Sequence, residues 1–172
     1  AVSGFVDSKQ VTQRRPMGVD FNSNGTKMFV VGTVENKIFE FDLTTGFDVS
    51  TATKNSNVCD FLGQASDVVD IEFNSDGTKL FLVDLGGDDT IEEFDLSTAY
   101  DVSSCTHVEE HFAGDFQLVG IEFNPSGTKL FIYDLTGTDS IKQYSLNSPY
   151  NLSNLTLQKQ STGTSDKNFQ AI

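Results

Sequence analysis

Phe21-Asn22-Ser23-Asn24-Gly25-Thr26-Lys27 returns as Phe73-Asn74-Ser75-Asp76-Gly77-Thr78-Lys79, and again as Phe123-Asn124-Pro125-Ser126-Gly127-Thr128-Lys129. The copies begin 52 and 50 residues apart. A fixed period of that size marks a repeat architecture in which each repeat is one supersecondary unit. Asn at the second position can hydrogen-bond its local backbone, and Gly at the fifth supplies a positive φ. The stretch therefore reads as a tight hairpin loop.

Working outward, each hairpin lies between short apolar runs. Gly18–Phe21, Asp70–Phe73 and Gly120–Phe123 read as first strands. Lys27–Gly32, Lys79–Val83 and Lys129–Tyr133 read as second strands, apolar on both faces as a sheet packed between two neighbours requires. Third strands follow at Lys37–Leu43, Thr90–Leu96 and Ser140–Leu146. More polar fourth strands span about 50–58, 103–110 and 154–160. No segment holds a sustained helical period. Four antiparallel strands per repeat of about 50 residues specify a β-propeller blade. The expected fold is all-β, with three complete repeats over about 16–66, 67–117 and 118–168. Residues 1–13 read as the last strand of a preceding blade and 169–172 as the start of a further one. Known propellers close with roughly four to eight blades. A partial ring implies self-association into a dimer, or a longer parent chain.

Asn74-Ser75-Asp76-Gly77-Thr78-Lys79-Leu80-Phe81, ahead of Phe94-Asp95-Leu96, resembles the bacterial propeller repeats of the Tol-type and Tyr-Val-Thr-Asn (lactonase-like) groups. The resemblance covers nearly the whole chain and implies a scaffold that hosts many activities. The Trp-Asp signature of WD repeats and the sialidase Asp box are both absent, and the chain has no Trp.

The chain has 172 residues, 25 Asp plus Glu against 11 Lys plus Arg, and a formal charge of −14. That balance argues against nucleic acid and against an anionic membrane surface as partners. It favours cations, calcium being the candidate cofactor, or simply a solvated acidic surface. Cys59 and Cys105 sit at different places in the repeat, at +11 and +4 from Asp48 and Asp101. Two cysteines are no disulfide framework, so their pairing and the redox compartment stay open.

Three candidate sites follow. Asp20, Glu72 and Glu122 recur on the first strand, which lines the channel of a propeller. They are candidate metal ligands as a carboxylate ring, with a solvated channel wall as the plain alternative. The loops Asp84–Asp89 and Asp134–Asp139 carry Asp beside Gly, but they lack the twelve-residue calcium spacing and read as turns. His107-Val108-Glu109-Glu110-His111 matches a protease zinc string. That chemistry needs a helix, and this stretch is a strand. Strict alternation there would put His107, Glu109 and His111 on one face, where zinc could bind adventitiously. No His accompanies a nucleophile-elbow string. Three glycosylation-type strings, at Asn24, Asn151 and Asn154, carry little weight.

The expected function is a non-enzymatic binding scaffold of a secreted, surface or phage-structural protein, with protein or glycan ligands and an extracellular or cell-surface home. The alternative is a lactonase-like hydrolase using a channel metal.

Overall fold

The structure, a computed structural model, describes residues 8–11, 13–87, 89–112, 117–136, 139–153 and 155–162. It holds three four-stranded antiparallel sheets, each built from strands consecutive in sequence. Blade 1 comprises β1 (Pro16–Phe21), β2 (Lys27–Gly32), β3 (Lys37–Leu43) and β4 (Ala52–Asp60). Blade 2 comprises β5 (Val68–Phe73), β6 (Lys79–Asp84), β7 (Thr90–Leu96) and β8 (Cys105–Phe112). Blade 3 comprises β9 (Leu118–Phe123), β10 (Lys129–Asp134), β11 (Ser140–Ser145) and β12 (Thr156–Thr162). The first strands lie side by side, β1 against β5 and β5 against β9, as the inner strands of adjacent blades do. Among the described residues no helix is long and apolar enough to cross a membrane.

The hairpin forms as its sequence dictates. Asn22 Oδ1 accepts from Lys27 N at 2.9 Å, and Asn74 and Asn124 repeat the bond at 2.9 and 2.8 Å. Gly25, Gly77 and Gly127 hold φ of 70°, 73° and 64°. A second constraint was not visible in the sequence. Phe47, Tyr100 and Tyr150 lay a ring directly over these glycines, so a Cβ there would strike it. Each ring also packs on the motif's phenylalanine, with centroids 5.5 Å apart for Phe21–Phe47, 5.4 Å for Phe73–Tyr100 and 5.1 Å for Phe123–Tyr150. The Tyr150 hydroxyl accepts from Ser75 N at 3.2 Å and donates to Pro125 O, so it joins the hairpins of blades 2 and 3.

Packing follows the two-sided apolar second strands. Phe29, Val31 and Ile38 of blade 1 are buried against Ile71, Leu80 and Leu82 of blade 2. Phe81, Val83 and Ile91 of blade 2 meet Ile121, Leu130 and Ile132 of blade 3 in the same way. Met28, Val30, Phe39 and Phe41 form a third cluster on the opposite face of blade 1.

The strand ends differ from the sequence reading in two ways. The first strands begin two residues earlier, at Pro16, Val68 and Leu118. The fourth strands begin two residues later, because 3-10 turns at Val49–Thr51 and Val102–Ser104 precede β4 and β8. Asp48 and Asp101 cap these turns, accepting from Ser50 N and Ser103 N. Of the strand expected over residues 1–13, residues 1–7 and 12 lie outside the described residues and Ser8–Val11 form no strand. Residues 169–172 also lie outside them.

Cys59 and Cys105 are bonded in a disulfide between blades 1 and 2, closing 46 residues of sequence. The Val102–Ser104 turn packs on β4, and that contact brings Cys105 to Cys59.

Candidate functional site

Asp20, Glu72 and Glu122 stand at equivalent places on the inner strands β1, β5 and β9, one per blade. A fourth carboxylate, Asp70, joins them. It occupies the position held by Gly18 in β1 and Gly120 in β9. Those glycines are needed for space. A Cβ at Gly18 would lie 3.0 Å from the Asp70 Cα, and one at Gly120 would lie 3.2 Å from its Oδ2. The Gly-Asp-Gly register was the signal for Asp70, readable only once the inner strands were known to touch.

Asp20 and Asp70 bind the backbone of the next blade, and the Phe123 backbone of blade 3 likewise pulls on Glu72. Asp20 Oδ2 accepts from Phe73 N at 2.9 Å, and its Oδ1 accepts from Phe21 N at 2.6 Å. Asp70 Oδ2 accepts from Ile121 N at 3.0 Å. All four groups are harder to ionise than usual. Burial is the first cause in each case. Asp20 is raised to about 6, with backbone amides pulling it back and the charges of Asp70 and Glu122 adding to the rise. Glu72 is raised to about 9, burial being reinforced by Asp20, Glu122 and Asp70. A group of titratable side chains perturbed by burial and by one another is a functional-site candidate on physical grounds.

Of the Asp84–Asp89 and Asp134–Asp139 loops, residues 88, 137 and 138 lie outside the described residues, and the leading aspartates bond the local backbone. Asp84 accepts from Ser66 N, Asp67 N and Gly86 N at 3.0, 2.7 and 2.9 Å. Its carboxylate caps the segment leading into β5. Asp134 accepts from Thr136 N at 2.8 Å and pairs with the buried Lys142 at 2.7 Å.

The expected shared face of His107, Glu109 and His111 is corrected by a β-bulge. Glu93 pairs with Glu109 while Phe94 pairs with His107, so Val108 is an extra residue and the alternation slips. His107 turns to Glu92, at 2.7 Å. His111 turns to Glu93 on the other side of β7, at 2.9 Å. Among the described residues, the group of three possible ligands within 4.8 Å of one another is Glu93, Glu109 and His111.

No known family matches the chain in sequence, and no curated protein does. Solved structures do resemble it. One from Bacteroides fragilis, described as a 6-phosphogluconolactonase, superposes with a TM-score of 0.60 at 17 % identity over 86 % of this chain. The periplasmic gluconolactonase of Pseudomonas aeruginosa gives 0.60 at 12 % over 86 %. A functionally unknown protein from Desulfotomaculum acetoxidans gives 0.61 at 14 % over 88 %. The fold is that of β-propeller blades. This chain covers 39 %, 39 % and 43 % of those three chains. At such identity the likeness concerns the fold.

Proposed function

We propose that the inner-strand carboxylates form one wall of a channel that opens a neutral sugar lactone by general acid–base catalysis. The observation that carries this reading is the convergence of Asp20, Asp70, Glu72 and Glu122 from three adjacent inner strands. Their acidities are spread apart, which is how a site assigns one carboxyl as base and another as acid. Asp20, raised to about 6, is mostly ionised at neutral pH and can take a proton from water. Its oxygens each keep a second lone pair beside their amide bonds. Glu72, raised to about 9, stays protonated and can donate. Water adds to the lactone carbonyl as its proton passes to Asp20. The ring C–O bond then breaks as the Glu72 proton passes to the leaving oxygen. Burial, and after it the charges of Asp20, Glu122 and Asp70, keep Glu72 protonated.

The names of the neighbouring structures include both a phosphorylated and a plain gluconolactone as substrate. The carboxylate wall favours the uncharged one, because a phosphate would be repelled by it and by a chain of net charge −14. The Cys59–Cys105 disulfide suits an oxidising, extracytoplasmic compartment.

A second reading, the binding scaffold, is favoured by the bonds from Asp20 to Phe73 N and from Asp70 to Ile121 N, which make the carboxylates blade-to-blade clasps. One experiment separates the two. The opening of δ-gluconolactone and of its 6-phosphate is followed by acid release at pH 7. The hydrolase reading expects acceleration over the spontaneous rate for the neutral lactone, lost at least about tenfold in Asp20→Asn and in Glu72→Gln, the scale of general acid–base contributions. No acceleration leaves the scaffold.

A further inference from the structure

We infer that Glu93, Glu109 and His111 form a binding site for a zinc-type divalent cation on the outer strands of blade 2. The three ligand atoms belong to adjacent strands and all lie within 4.8 Å of one another. His111 Nε2 is 2.9 Å from Glu93 Oε2 and 3.7 Å from Glu109 Oε1. Metal–ligand bonds of about 2.0–2.1 Å place the corners of a tetrahedron about 3.3 Å apart, so these separations bracket what zinc needs. An imidazole with two carboxylates suits a borderline ion better than calcium, which prefers an all-oxygen shell.

Three independent features point the same way. Glu93 and Glu109 are direct cross-strand partners with His111 reaching both, which sets two carboxylates and an imidazole on one face of the sheet. The bulge at Val108 is what turns Glu109 and His111 onto the Glu93 face, and bulges commonly re-aim side chains at sites. The outer support is also built. Lys79 Nζ holds Glu93 Oε1 at 2.5 Å and Asp95 Oδ1 at 2.8 Å, which leaves Glu93 Oε2 aimed at His111. Such a partner orients a metal-binding carboxylate without taking its ligand oxygen.

Blade 1 supplies the contrast. Glu40, the equivalent of Glu93, is wholly buried and its oxygens are taken by Lys27, Asn55, Asn57 and the Val102 amide of blade 2. Blade 2 keeps the lysine, as Lys79, but sets a second carboxylate and an imidazole beside Glu93 where blade 1 has the Asn55 and Asn57 amides. The Glu109 side chain is 53 % exposed, so an ion can enter from solvent and water can take the fourth position.

The test is calorimetric titration of the oxidised, tag-free chain with zinc chloride in a non-coordinating buffer at 150 mM salt. One saturable site is expected, weakened at least tenfold in Glu109→Gln and in His111→Asn and unchanged in His107→Ala, whose ring lies on the other face. Millimolar calcium leaves the zinc isotherm in place. Glu109 is exposed enough that its variant folds, so the test does not depend on the buried histidine. The inference is overturned by an absence of saturable zinc binding, by equal binding in both ligand variants, or by displacement with calcium.

Discussion

Cys59 and Cys105 are covalently joined with their Cα atoms 5.9 Å apart, although they come from different blades and from unlike positions in the repeat. The bond crosses the blade 1–blade 2 junction at its outer edge. There the Val102–Ser104 turn lies on β4, and Val102 N donates to Glu40 at 3.2 Å. A cross-link closing 46 residues restricts the unfolded chain. Replacing both cysteines by serine is expected to lower unfolding free energy by about 2–4 kcal/mol in the chain-entropy picture. Urea melts of the oxidised, reduced and double-serine proteins measure it. Equal midpoints would show that the blade junction holds without the bond.

Glu40 is the buried polar centre of the same junction. Glu40→Ala leaves the Lys27 ammonium, the Asn57 amide and Val102 N without this acceptor, while Asn55 keeps its bond to Asp42. Removing one partner of a buried charge network costs about 3–5 kcal/mol, less here because Lys27 can turn to water. Asp42→Ala, on the exposed side of β3, is expected to change stability by no more than about 0.5 kcal/mol. Denaturant melts of the two variants give the comparison.

Gly77 answers two demands at once, a positive φ and a ring lying on it. Gly77→Ala is therefore expected to cost about 2–3 kcal/mol, more than the 1–2 kcal/mol of the backbone conformation by itself. Pairing it with Tyr100→Ala separates the terms. If the ring contributes, the double variant loses less than the sum of the single ones, as thermal unfolding would reveal.

The buried acids of the inner strands set a pH dependence opposite in sign to that of an ordinary salt-bridged carboxylate. Glu72 has an unfolded value of 4.5 and a folded value of about 9, so between them the folded state binds the extra proton. Its contribution is fully present below pH 4.5 and is lost as pH rises towards about 9. Asp20 adds the same sign between 3.8 and about 6. The melting temperature should fall as pH is raised from 6 to 9, and Glu72→Gln should flatten that slope. A slope unchanged in the variant would remove Glu72 as its source.

The blades were legible because their determinants are local. A hairpin such as Asn74–Lys79 is decided by the residue that accepts from the backbone and the residue that tolerates positive φ. Strands such as Lys79–Asp84 are decided by apolar content over a few positions. The same reading placed Asp20, Glu72 and Glu122 on the inner strands, since one repeat register carries all three.

Contacts between blades were out of reach, because they join residues about 50 positions apart whose meeting depends on how the sheets lie together. Asp70 stayed hidden until β1, β5 and β9 were side by side. The Cys59–Cys105 bond needed the turn before β8 to settle on β4. Within blade 2, the ring of Tyr100 over Gly77 needed the turn after β7 to fold back onto the β5–β6 hairpin. Alternation in sequence put His107 with His111, and one extra residue at Val108 separated them. The sequence by itself determined which segments are strands and that they recur as blades. Only the tertiary structure decided which carboxylates, cysteines and histidines meet, because a one-residue slip in a strand reverses every side chain beyond it.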